Sequence, residues 1–176
     1  MAEFREDTIV YPTMVALSAC LCAEITASGL PEPCFCGLLP GSTVSLDFCG
    51  AGKCDGECGG QAWVRPGEMF TSVAFPSPDT ALQNCNSPLA FRLEVGIARC
   101  LPMGRNNPVG GYIPPTLDEQ LAATRLQMAD AAAMRRAIQC CMAANENLDY
   151  VLETYSPLPP QGGCGGGTWT VLIRSL

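Results

Sequence analysis

Cysteine offers the most chemistry in this 176-residue chain, which contains twelve of them. Five lie within one Gly-rich stretch, and a thiolate is both a nucleophile and a metal ligand. Structural zinc sites usually contain C-x2-C pairs, whereas this stretch has none, and its C-x-C and C-x3-C spacings are poor substitutes. We therefore treat the five as weak candidates for a metal site: Cys34, Cys36, Cys49, Cys54 and Cys58.

Two other states of the cysteines stay open. A Gly-rich loop brings strand ends close together, so a disulfide between the strands of a 34–60 hairpin is one alternative. Free thiols that pack as small apolar side chains are the other. The free-thiol state is what we expect of the four cysteines on helical segments: Cys20, Cys22, Cys140 and Cys141.

The remaining chemistry-bearing residues do not form a catalytic pattern. Histidine is absent, which excludes Ser-His-Asp and Cys-His pairs and every His-ligated metal site. The glycines at 162–167 precede a Trp-bearing strand rather than Lys-Ser/Thr and a helix, so they are not a P-loop. Asp47, Asp55 and Glu57 are close in sequence but have no partner base or cofactor motif. We expect no enzymatic activity and no cofactor.

Charge is sparse and acidic. Only 15% of the residues are charged, against about 25% in a typical globular domain, and the mean hydropathy is positive. A lone monomer usually carries more charge, so the composition predicts surface that is buried in an assembly. The net charge of −7, with Lys53 as the one lysine, provides no basic footprint for nucleic acid. We expect DNA to pass without specific binding.

The run Leu17–Cys20, LSAC, is similar to a lipoprotein cleavage box. A signal sequence needs a basic segment followed by an apolar run, whereas the residues that precede this box are acidic and the apolar run is short. We therefore expect no signal sequence and no membrane-spanning segment.

The clearest periodicity in the chain predicts a long strand over residues 87–100. Apolar residues occupy every second position there, which gives a strand one apolar face and one wet face. We expect this strand to lie in the sheet with helices packed on its apolar side. The alternating apolar residues are Leu89, Phe91, Leu93, Val95 and Ile97.

Helical spacing is present on both sides of this strand. Apolar residues follow helical spacing over about 8–28, which predicts a first helix that begins near Tyr11 or Pro12 and is ended by Gly29. The second begins with a capping box formed by Thr116 and Glu119, and it extends to about Met142. Its buried face is predicted to contain Leu121, Met128, Ala131, Met134, Ile138 and Cys141. Two arginines near its C-terminal end, Arg135 and Arg136, are predicted to complement the helix dipole.

Three further strands complete the predicted sheet. One covers 44–48, a second covers 61–75 with an edge or bulge at Pro66, and the last covers 168–174. Residues 148–160 are predicted to be a short helical turn or an extended arm. The Gly run before the last strand is predicted to be a flexible loop.

The segment 101–115 has little internal pattern and reads as a long loop. A loop of this length is typical of a functional or interface-forming segment. We therefore predict an assembly interface within it, formed by Gly104, Arg105, Asn106, Asn107, Pro108, Val109, Gly110 and Gly111.

These elements predict an α+β fold with a single antiparallel or mixed sheet of about four strands and two main helices packed on one face. One domain is expected over residues 1–176, with a Cys/Gly-rich hairpin insert at about 34–60.

The order helix, three strands, long helix and last strand, at this length, resembles the tail terminator (tail completion) proteins of long-tailed bacteriophages. The ending GGCGGGTWTVLIRSL, and the long strand followed by a looped crossing to a capped helix, are similar to actinobacteriophage members. The Arg-rich, Lys-poor composition fits a high-GC genome. The insert at 34–60 is not part of the family's common pattern.

The resemblance implies a structural virion protein that forms a ring, of six copies in the family, at the end of the tail tube. Such a ring ends tube polymerisation and joins the tail to the head-neck connector. The implied partners are further copies of the chain, the major tail tube protein and a head-completion or stopper protein of the neck. Assembly would occur in the host cytoplasm, and the final location would be the virion.

Two alternatives stay open. One is another neck or tail-tube-like subunit. The other, from a different class, is a small secreted binding module stapled by disulfides or zinc.

Overall fold

The computed structural model describes residues 7–46, 59–80, 87–108 and 110–175. The α+β class predicted from the sequence is confirmed. In chain order the elements are α1 (Val10–Ala27), β1 (Phe35–Leu38), β2 (Gln61–Thr71), β3 (Leu89–Cys100), β4 (Arg105–Asn106), β5 (Tyr112–Ile113), α2 (Leu117–Ala143), β6 (Leu148–Gln161) and β7 (Cys164–Ser175).

The main sheet has five strands in the order β1-β2-β3-β7-β6, one more than the predicted four, and β4 and β5 form a separate two-stranded ribbon. The strand predicted over 87–100 is β3, and it lies at the centre of the sheet. The interruption predicted in the second strand is a register shift between Pro66 and Met69. Proline is tolerated at such a bulge because it has no N–H to donate.

The N-terminal edge of the sheet differs from the prediction. The edge strand is β1, at Phe35–Leu38, and it pairs parallel with β2. Residues 44–46 are not in a strand, and Phe48 lies outside the described residues. A parallel pair needs a crossover connection between its strands, so β1 and β2 are not the two strands of one hairpin. Residues 47–58 of the predicted 34–60 hairpin insert lie outside the described residues, and the insert stays a prediction.

The C-terminal part of the chain is a long hairpin. The sequence predicts a helical turn or extended segment at 148–160, followed by a flexible Gly loop. Strand β6 covers most of the segment predicted as a helical turn or arm, and β7 includes most of the predicted Gly loop. The turn itself is Gly162 and Gly163, with φ of +58° and +84°. A two-residue hairpin turn of this kind needs positive φ at both positions, and glycine adopts it without steric cost.

Both helices pack on one face of the sheet and enclose the main core. The apolar positions of β3 are buried, as are the inward faces of α1 and α2. On the opposite face of β3, Arg92, Glu94 and Cys100 are partly exposed, whereas Gly96 and Ala98 are buried. The reason is a second, smaller core around Trp63, whose ring occupies the space that a Cβ at Gly96 would need.

The predicted helix signals are borne out at the start of α2 and the end of α1. The Glu119 N–H donates to Thr116 Oγ1 at 3.2 Å, and the Thr116 N–H donates to a Glu119 carboxylate oxygen at 2.7 Å. Gly29, with φ of +64°, follows the last turn of α1. Local hydrogen bonding therefore fixes these two helix ends.

Two predictions for α2 are wrong. Leu121 and Met128 are 46% and 50% exposed, because the buried face of α2 lies in its second half. The last turn of α2 contains no basic residue. Instead, Arg136 Nε donates to Glu24 of α1 at 2.7 Å, and this contact lowers the pKa of that carboxyl group.

Helix α1 is long and apolar enough to cross a membrane by length and composition, contrary to the expectation from sequence. In this structure 39% of it is buried, and its inward face contributes five residues to the main core. A core helix and a signal sequence both satisfy this length and composition test, so the finding is weak evidence for a membrane span.

Two disulfides attach α1 to its neighbours. Cys20 bonds to Cys141 of α2, with 6.1 Å between the Cα atoms, and Cys22 bonds to Cys36 of β1, with 6.0 Å. The prediction of free thiols is therefore wrong for three of the four helical cysteines, and it holds for Cys140. The antiparallel packing of α1 on α2, which periodicity does not reveal, brings these sulfur atoms together.

We predict that peptide mapping without reductant recovers the pairs Cys20–Cys141 and Cys22–Cys36. Their loops of 121 and 14 residues are each expected to contribute about 2–4 kcal/mol to the free energy of unfolding. A Cys22→Ser/Cys36→Ser variant should therefore melt well below the parent, whereas Cys140→Ser should melt within about 2 °C of it, as surface substitutions do. Free thiols at the four bonded positions in the oxidised protein would contradict this pairing.

Candidate assembly interface

Residues 101–115, named the arm from here on, form a short β-ribbon rather than the predicted patternless loop. Arg105 pairs with Ile113 and Asn106 with Tyr112. At the tip, the Asn107 N–H donates to the Gly111 carbonyl at 2.7 Å. The arm thus has backbone order of its own.

The arm and the first turns of α2 expose large apolar side chains. On monomeric proteins such groups are usually scattered, so a cluster of them marks an interaction surface. The cluster consists of Met103 (66% exposed), Tyr112 (68%), Ile113 (44%), Leu117 (71%) and Leu121 (46%).

The base of the arm is fixed to the domain. The Leu101 N–H donates to the Gly163 carbonyl at 2.7 Å, which joins the arm to the β6–β7 turn. On the other side, Arg105 lies 3.4 Å from Glu119, whose pKa is lowered mainly by the Thr116 backbone N–H. These two contacts fix the direction in which the arm projects from the domain. Its polar and apolar side chains face solvent.

The predicted interface residues lie in this arm, except that Val109 is outside the described residues. Gly104 has a structural reason to be glycine, because the Tyr112 ring occupies the position of a Cβ there. Sequence reasoning missed the five large exposed side chains of the cluster. Leu117 was the sequence feature that could have indicated this exposed cluster, because it precedes the buried half of α2 by more than three turns.

The sheet has two edges, and they differ. Strand β1 has only four residues, whereas β6 has fourteen. Three prolines, Pro157, Pro159 and Pro160, lie in the C-terminal half of β6 and remove N–H donors from it. An edge of this kind resists pairing with another chain, so only the half of β6 before Ser156 is open to strand addition.

The sheet face opposite the helices carries ion pairs. Arg65 contacts Glu94 at 2.7 Å, and Arg92 contacts Glu153 at 3.1 Å and also Glu68. Of the eight arginines in the described ranges, only Arg125 and Arg135 are in no ion pair; the paired ones are Arg65, Arg92, Arg99, Arg105, Arg136 and Arg174. Little positive charge is left for phosphate groups.

The candidate metal ligands are only partly described. Cys36 is bonded to Cys22, and Cys34 is also disulfide-bonded, so neither sulfur is a thiolate ligand in this state. Cys49, Cys54 and Cys58 lie outside the described residues. Within the ranges that are described, no three His, Cys, Asp or Glu side chains are placed to hold a metal ion.

Comparison with other proteins does not identify a relative. No protein-family model matches the chain, and no curated protein matches it either.

We predict that the isolated protein binds duplex DNA weakly or not at all at low salt. The net charge is −7, and six of the eight described arginines are neutralised by carboxylates. The measurement is a fluorescence anisotropy titration at 50 mM salt.

The matched control for this titration is the variant Asp118→Lys/Glu146→Lys, which replaces two exposed carboxylates that are in no ion pair and should raise the affinity. Tight binding of the parent that falls by roughly 10³ over a fourfold rise in salt would contradict the prediction.

Proposed function

We propose that this protein is a structural subunit of a bacteriophage virion that assembles into a ring, caps the tail tube and joins the tail to the neck. In this proposal the partners are further copies of the chain, the tail tube protein and a head-completion protein. DNA passes through the ring without specific contacts. The chain acts in the virion, after assembly in the host cytoplasm.

The observation that carries the proposal is the arm. It exposes Met103, together with Tyr112 and Ile113 of its short ribbon, next to Leu117 and Leu121 of α2. Residues that only connect β3 to α2 have no need of large apolar groups in solvent. Contact with another protein surface would bury them, at about 25 cal/mol for each Å² of apolar area removed from water.

Element order and composition support the virion assignment. The chain has one helix, three strands of the main sheet, the β4–β5 ribbon, a long helix and a final pair of strands. The tail terminator resemblance has the same order except that it lacks the ribbon and ends in one strand. The low fraction of charged residues favours a subunit whose surface is largely buried by neighbours.

We propose no catalytic role. The proposal rests on the sequence, which has no histidine and no motif for a nucleotide or a metal cofactor. An assembled ring needs none of these groups.

A second candidate function is favoured by one observation. The disulfides of α1 indicate an oxidising location, which suits a secreted binding module as well as a released virion. The two candidates differ in assembly, because a secreted module of this kind acts as a monomer and has no tail tube to cap.

We predict that deletion of residues 104–111 leaves a folded protein that no longer forms rings. The described residues of this segment, 104–108 and 110–111, belong to neither core, so the melting temperature should change by less than about 5 °C, as for a substitution outside the core. Native mass spectrometry and negative-stain images of parent and variant measure the outcome.

Rings from the parent and monomers from the deletion variant would support the proposal. Rings of normal size from the variant would show that the arm is not the interface. A parent that stays monomeric at every concentration would favour the secreted module instead.

A further inference from the structure

We propose that the arm of one copy docks into an uncharged groove at the far end of α2 in the next copy, so that subunits join head to tail. This inference rests on the proposed self-assembly and specifies the two surfaces that meet.

The groove lies between the first turns of α1 and the turn that links α2 to β6. Its volume is about 360 Å³. Ile9, Pro12 and Ala16 line one side, and Asn145 and Leu148 line the other. None of its lining residues carries a charge. An uncharged segment can therefore enter the groove without the free-energy cost of removing water from a charged group.

The arm has the matching chemistry. Residues 106–113 contain no charged side chain. They offer the exposed Tyr112 ring, the apolar Ile113 and the amide of Asn106, which can pair with the asparagines of the groove. An aromatic ring with a hydroxyl group suits a pocket that is apolar on one wall and amide-lined on the other.

Other surfaces of the chain fit the arm less well. Two further cavities, of about 270 and 530 Å³, lie on the helix-free face. Both include Arg65 and Glu94, which form an ion pair. Covering that pair with the uncharged residues 106–113 would desolvate two charges without adding a partner for either.

The distance between the arm and the groove excludes the arm of the same copy, so the proposed occupant is the arm of another copy. Glu119 marks the arm end of α2 and Met142 the groove end, and the two are about 35 Å apart at 1.5 Å per residue. Each leg of the arm from Gly104 to its tip spans about 17 Å or less. The arm of one copy therefore does not reach its own groove.

A contact between two different surfaces at opposite ends of a subunit is heterologous. Repetition of such a contact closes into a ring or continues as a filament, whereas a two-fold dimer pairs identical surfaces. The placement of arm and groove thus agrees with the ring that the proposed function requires.

The first test is a photo-cross-link from the arm. p-Benzoylphenylalanine replaces Tyr112, and a mixture of ¹⁵N-labelled and unlabelled protein is irradiated and analysed by mass spectrometry. We expect cross-links between differently labelled chains, to peptides that contain residues 8–16 or 145–148. Cross-links within one chain, or to the helix-free face, would overturn the inference.

The second test compares two substitutions on α1. Ala16→Arg places a long cation in the groove, whereas Ala23→Arg changes an exposed position of the same helix outside it. We expect Ala16→Arg to raise the concentration at half-assembly by about tenfold or more, and Ala23→Arg to change it by less than about twofold. Circular dichroism melts establish that both variants fold.

The outcomes separate this inference from the proposed function. A parent protein that forms no oligomer overturns the proposed self-assembly and the docking together. A parent that forms rings, while Ala16→Arg assembles normally, overturns only the arm-and-groove contact. Rings that are lost in Ala16→Arg and kept in Ala23→Arg support it.

Discussion

The buried ion pair between Arg99 and Asp130 is the contact on which the rest of the structure depends. Two parallel hydrogen bonds join the groups, at 2.9 and 2.8 Å, and the side chains are only 8% and 4% exposed. Arg99 also donates to the Pro31 carbonyl at 2.6 Å and to the Gly59 carbonyl at 3.3 Å. Removal of one partner from such a pair leaves a buried charge, which typically costs about 3–5 kcal/mol.

This pair connects four parts of the chain at one end of the domain. It joins β3 to α2, and it holds both the segment after α1 and the segment before β2. The two disulfides of α1 attach that helix at its middle, and Glu24 with Arg136 adds a surface contact between the helices. Because α2 is fixed in this way, the arm at its N-terminus has a defined position relative to the groove at its other end.

Local signals were predictable from the sequence. The capping box at Thr116, the stop at Gly29 and the alternation along β3 each depend on neighbours within a few residues, and the structure contains all three. Residues 104–111 were predicted as an interface because a long segment with little pattern stands out, and that role stays a prediction, whereas the ribbon pairing in this segment was not visible from the sequence.

The remaining features depend on contacts between distant residues. The parallel pairing of β1 and the disulfide partners of Cys20 and Cys22 follow from tertiary packing, which periodicity does not encode. Three prolines made β6 look unlike a strand, but an edge strand tolerates missing N–H donors. Leu121 and Met128 follow the helical period of α2, yet they lie outside the part of α2 that meets the sheet.

The central claim is that this domain presents the uncharged residues 106–113 of its arm to a second copy of itself. Hydrogen–deuterium exchange measured over a range of protein concentrations tests it most directly. The account predicts that backbone amides of residues 103–113 exchange quickly in dilute protein and slowly at high concentration, while those of β3 are protected throughout. Arm amides whose exchange rates do not change with concentration would contradict it.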